Sequence, residues 1–163
     1  MNVEQLVADA NSPDIQARVD DVLEKASKVV EKKLAPANSL IAEIKQAMVH
    51  GTDCITTAQL QEWAIAIPII CEELVPHKEA FALTKDLWDI ETKQLAARNL
   101  LELDAKKTEI ETVNKLAGTE NGKKKAIAEY VQNMLAGTME RLWCLGNAIR
   151  KILDARIASG DCR

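Results

Sequence analysis

The residues of this chain best equipped to do chemistry are basic side chains gathered near its end, and their chemistry is electrostatic capture of an anion. Residues 123–163 hold eight Lys and Arg against four Asp and Glu, in a chain whose formal net charge is -4. Residues 1–36 carry seven acids and five bases, and residues 37–122 carry fourteen and eight. Lys123, Lys124, Lys125 and Arg141 in the basic stretch, with Lys93, Arg98, Lys106 and Lys107 upstream, are the candidate phosphate contacts. The same residues would equally serve as a solvated helix face, or as the complement of the acidic stretch before them. Lys123–Lys125 stand where a helix is expected to begin, and cations there oppose the helix dipole.

Other reactive groups are sparse. His50, Cys54 and His77 are zinc-ligand types, but Gly51-Thr52-Asp53 reads as a helix end that takes the first two off a common face. Cys54, Cys71, Cys144 and Cys162 contain no Cys-x-x-Cys pair and are expected to be free thiols. Glu72 and Glu73 are helix neighbours about 100° apart, so they do not form a catalytic carboxylate pair. Phosphate-binding glycine loops, His-Glu-x-x-His and Gly-x-Ser-x-Gly are all missing from the sequence. The expectation is a protein that is not an enzyme and uses no metal or cofactor.

The elements that must position these residues are helices. Aromatic residues make up only 3% of the chain, and the apolar residues are mostly Ala, Leu, Ile and Val, which suit helix packing. Ser12-Pro13-Asp14 starts a helix, and Ile15, Val19, Val22, Ala26 and Val29 give it one apolar stripe. Pro36 predicts its end near Leu34. A second helix carries Leu40, Ile41, Ile44 and Met48 and stops at Gly51, and Thr56 with Gln59 matches a capping box for a third. Pro68 is expected to kink that third helix or divide it in two, and Pro76 to separate it from two long arms. The arms are expected to meet at Gly118-Thr119-Glu120-Asn121-Gly122. Such a turn would set Trp88 roughly opposite Trp143.

The fold class is therefore all-α: a small N-terminal helical base, residues 1–75, and a long antiparallel, coiled-coil-like hairpin, residues 76–163, turning near 118–122. Leu83, Leu87, Ile90, Ala97 and Leu101 recur in a heptad-like seam. Ala96, Leu100, Leu103, Lys107, Ile110, Asn114 and Ala117 follow a second phase. An arm of about forty residues would span about 60 Å, too long for one compact core, so partners are expected. Trp63, Ile65, Ile67, Ile69 and Ile70 lie in the most apolar segment and are the expected oligomer interface. Neither a membrane-length apolar run nor a secretory signal is present, which predicts a cytoplasmic protein.

The order of segments resembles a group of bacteriophage helical-hairpin proteins typified by the UvsY recombination mediator. The resemblance runs from Thr52-Asp53 through Leu60-Gln61, the apolar layer, Lys78 to Ile90-Glu91 and Leu103. It continues through Glu109-Ile110-Glu111, Leu116, the Gly-containing break and Lys123-Lys124-Lys125-Ala126 into a return helix. It covers roughly residues 52–157 and rests on segment order rather than a tight motif. It implies a ring-forming homo-oligomer in the host cytoplasm that binds single-stranded DNA without a cofactor. Recombinase and single-strand-binding protein would be its partners. It also implies a basic first long helix, for which Lys93 and Arg98, and more weakly Lys85, are the counterparts here. The residues themselves admit a second outcome, a structural or adaptor coiled-coil protein that binds only protein.

Overall fold

The computed structural model describes residues 13–102 and 107–160. Three long helices account for nearly all of them: α1 (Pro13–Val49), α2 (Thr57–Glu102) and α3 (Lys107–Ser159). A 3-10 turn at Thr52–Cys54 joins α1 to α2, and no strand occurs among the described residues. The chain is all-α with a long antiparallel hairpin, as its composition predicts.

Local signals set the α1–α2 junction. The last turn of α1 closes on Gly51, which adopts φ 90, a left-handed conformation that suits glycine. Thr56 and Gln59 then cap α2 reciprocally. The Gln59 amide donates to Thr56 Oγ1 at 3.2 Å, and the Thr56 amide donates to Gln59 Oε1 at 3.0 Å.

The expected breaks at Pro36 and Pro76 do not occur, and the helix is not divided at Pro68. Pro36 lies inside α1, and Pro68 and Pro76 lie inside α2. An internal proline costs about 3 kcal/mol. Burying one Leu or Ile returns about 1.5–3 kcal/mol, and the stripe of α1 keeps its phase across Pro36 through Leu34, Ala37, Leu40 and Ile44, all buried. Ile67 and Leu74 do the same beside Pro68 and Pro76. Continuity of the buried face therefore outweighs the local break.

The expected turn at 118–122 is corrected too, because α3 runs unbroken through Gly118 and Gly122. A helical glycine costs only about 1 kcal/mol relative to alanine. The segment is also tied down: Thr119 Oγ1 donates to the Lys115 carbonyl at 2.9 Å, and Asn121 Nδ2 donates to Thr92 Oγ1 at 3.0 Å. Instead α2, which ends at Glu102, and α3, which begins at Lys107, run antiparallel. The seam expected from Ala96 through Ala117 is thus divided between α2 and α3. In that register Trp88 no longer lies opposite Trp143. Trp88 stands beside Lys124, and Trp143 beside Arg150.

By contact the described chain forms two units, and their boundaries fall inside the helices. Among the described residues one unit combines Val30–Glu79 with 132–160, and the other combines 13–29 with 80–102 and 107–131. The first is the better filled. Leu34, Ile44, Leu60, Trp63, Ile67, Leu135, Leu142 and Ile149 are each at most 2% exposed there. Trp63 Nε1 donates to Glu43 Oε1 at 2.9 Å, holding α1 antiparallel to α2. Gly146 on α3 brings its backbone close to Ile67 on α2, since a Cβ at Gly146 would stand 3.3 Å from Ile67 Cγ2. The second unit has few buried residues, notably Ala26, Ile110, Ala128 and Val131. Its α2 and α3 segments run antiparallel and share several polar contacts.

Candidate interaction surface

The polar contacts of that second unit fall on one face of α2. Asn99 Nδ2 donates to Asn114 Oδ1 at 2.7 Å, and Thr92 accepts from Asn121. Lys125 Nζ donates to both Asp89 carboxylate oxygens, at 2.8 and 3.0 Å. Lys124 Nζ lies 4.0 Å from the centre of the Trp88 ring. Residues 88, 92 and 99 are four and seven apart, so they share the helix face turned toward α3.

The apolar seam lies on another face. Leu83, Leu87 and Ile90 are 60%, 54% and 49% exposed, and Leu101 is 87% exposed. Ala97 and Gln94 are exposed between them. Each of 87, 90, 94 and 101 falls two residues after Lys85, Trp88, Thr92 or Asn99, about 200° around the helix. The segment thus carries apolar side chains on two faces: Phe81, Trp88 and Leu95 are half-buried among the polar contacts, and the Leu83–Leu101 stripe is exposed.

The candidate basic residues fare differently from one another. Lys93 and Arg98 are exposed on α2. Lys106 lies outside the described residues, as does the side chain of Lys107, which opens α3. The triplet is engaged inside its unit: Lys123 Nζ is 3.5 Å from Glu120, Lys124 covers Trp88, and Lys125 pairs with Asp89. Arg141 extends over its own helix, donating to the Thr138 hydroxyl at 2.9 Å and the Gly137 carbonyl at 3.3 Å. Thr138 is fully buried, so Arg141 supplies a partner to a hydroxyl inside the core.

The hydrogen bond from Lys125, helped by its charge and by the charges of Lys93 and Lys85, holds the Asp89 carboxyl below its ordinary range. The same contact raises Lys125. A carboxyl whose pKa is depressed on folding stabilises the fold above its unfolded value of about 3.9, and that contribution fades as pH falls through the lower folded value. Asp89→Asn is therefore expected to melt below the parent at pH 7, with the difference shrinking as the pH drops below about 4. Thermal melts across that range check it, and a difference that grows in acid would refute the pairing.

The expected oligomer interface divides in two. Trp63 and Ile67 are 1% exposed and serve the core of their own unit, whereas Ile65 and Ile69 are 64% and 51% exposed. Ile70 is half-buried. Heptad alternation explains the division, because residues two apart lie on opposing faces.

The possible zinc ligands have other surroundings. His50 and Cys54 are exposed, and the His77 ring lies 3.3 Å from Lys33 Nζ. Among the described residues no cluster of three or more His, Cys, Asp or Glu could hold a metal. No described helix is long and apolar enough to cross a membrane.

Arg156 has a role that its sequence position does not announce. Its guanidinium donates to the carbonyls of Ile55 and Thr52, both at 2.6 Å, and clasps the 3-10 turn. Only the α3 register could have revealed this, since the partners are 101 and 104 residues away. No family model, curated protein or solved structure matches the chain.

Proposed function

We propose that this chain is a helical scaffold or adaptor that works by binding protein through exposed helix faces. One observation carries the reading: residues 83–101 of α2 present Leu83, Leu87, Ile90 and Leu101 in heptad order at about half or more exposure. Apolar surface in regular helical order is stabilised when another helix covers it. A further support is the engagement of Lys123, Lys124 and Lys125 within their own unit, which lowers the positive potential they offer to an outside anion.

Exposed Lys93 and Arg98 are the groups that a recombination-mediator role would use on single-stranded DNA. Fluorescence anisotropy of a labelled single-stranded oligonucleotide, titrated with the full chain at low and physiological salt, separates the two. The expected result is no binding at either salt concentration. Affinity that falls steeply with salt and is lost in Lys93→Ala/Arg98→Ala would replace the scaffold reading with the DNA-binding one, because phosphate contacts release counterions.

A further inference from the structure

We infer that α2 pairs with α2 of a second copy of this chain, antiparallel, along Leu83, Leu87, Ile90, Gln94, Ala97 and Leu101. The inference rests on the protein-binding reading above and names the partner. The steps between these residues are four, three, four, three and four, the a/d spacing of a two-stranded coiled coil. They cover about 27 Å of helix. All six are exposed, the three leucines at 54% or more, so no described residue covers the stripe.

The charges beside the stripe say what covers it. Asp86 and Lys93 each precede a seam residue by one, and Glu91 and Arg98 each follow one. All four are exposed. These are the g and e positions, which select partner and direction. In a parallel pair each g position meets the e position five residues on. Asp86 would face Glu91 of the partner subunit, and Lys93 would face Arg98 of the partner subunit, like against like. In an antiparallel pair with its two-fold axis near residue 92, g meets g and e meets e. Asp86 then faces the partner subunit's Lys93, and Glu91 faces the partner subunit's Arg98, each pair occurring twice by symmetry.

The same register packs the seam by size. Leu83 meets the partner subunit's Leu101, Leu87 meets the partner subunit's Ala97, and Ile90 meets the partner subunit's Gln94. Every seam residue has a counterpart, and the patch is complementary to itself, as a two-fold interface requires.

Sedimentation velocity of the full chain over a wide concentration range tests the pairing. The parent is expected to show a concentration-dependent dimer, and Leu87→Glu to sediment as a monomer. Leu87 is outside the core, and an unchanged circular dichroism melt at low concentration verifies that the variant folds. Glu91→Lys/Lys93→Glu keeps composition, net charge and every seam residue. It sets like charges against each other in the antiparallel pair and opposite charges in a parallel one. It is expected to raise the dimer Kd at least about tenfold.

A parent that stays monomeric throughout overturns self-pairing. A dimer indifferent to Leu87→Glu overturns the seam, and tighter association of the charge swap overturns the antiparallel direction. These outcomes differ from failure of the scaffold reading itself, which would show as salt-sensitive oligonucleotide binding.

Discussion

Trp63→Ala is expected to lower stability by about 3–5 kcal/mol, the range for removing a fully buried tryptophan. Trp63 is 1% exposed and is the largest fully buried side chain of the described residues. Its ring fills the space between helices, and its Nε1 donates to Glu43. Truncation removes apolar burial, leaves a cavity and breaks the tie between α1 and α2. In a domain of this size the melting temperature should fall by about 6–20 °C, measurable by circular dichroism. Trp143→Ala is the matched control, because Trp143 is 54% exposed and its loss should change stability by no more than about 0.5 kcal/mol. Equal effects from the two would mean that the core does not centre on Trp63.

Arg156→Ala is expected to cost about 1.5–3 kcal/mol, the value of charge-assisted hydrogen bonds that span a long sequence separation. The guanidinium spans two carbonyls of the turn after α1, and its first nitrogen also lies 3.5 Å from Thr57 Oγ1. A lysine has the charge but not the planar fork, so Arg156→Lys should recover less than half of the loss. Urea denaturation of the parent and both variants measures this. Full rescue by lysine would show that charge near the end of α3, rather than the paired hydrogen bonds, supplies the stability.

Much of the helical pattern was readable from residue order, while its interruptions were not. The Thr56–Gln59 capping box and the stop at Gly51 are local devices, complete within a few residues, and both occur as expected. The stripe of Leu40 and Ile44 was readable by spacing. Pro36, Pro68 and Pro76 were read by their local propensity, and the continuous buried face on either side overrode it. The chain reversal was misplaced for the opposite reason. Gly118 and Gly122 advertise a turn, whereas residues 103–106 are Leu, Asp, Ala and Lys, with neither Gly nor Pro and Asp104 as the single turn former.

That single displacement hid the interaction surface. Pairs such as Asp89 with Lys125 and Asn99 with Asn114 follow only once the hairpin register is known. The Leu83–Leu101 seam itself was legible, but which way it faced was not. Spacing tells which residues share a face, and only the partner contacts tell which face is covered. The lysine triplet shows the same limit, since a run of three cations reads alike whether it meets solvent, a phosphate or Asp89.

The better-filled unit also imposes an order on synthesis. Its core joins Leu60, Trp63 and Ile67 to Leu135, Leu142 and Ile149, and the intervening stretch 80–131 belongs to the other unit. A nascent chain that has emerged only through residue 131 has α1 to set against Trp63 but not the α3 side of that core. The Trp63 face of α2 must wait for the part of α3 from Gln132 onward, and closing so long a loop delays the nucleus. Until then the growing chain presents apolar helix at the ribosome, which makes chaperone capture, or early docking on a completed neighbour, a natural stage in its maturation.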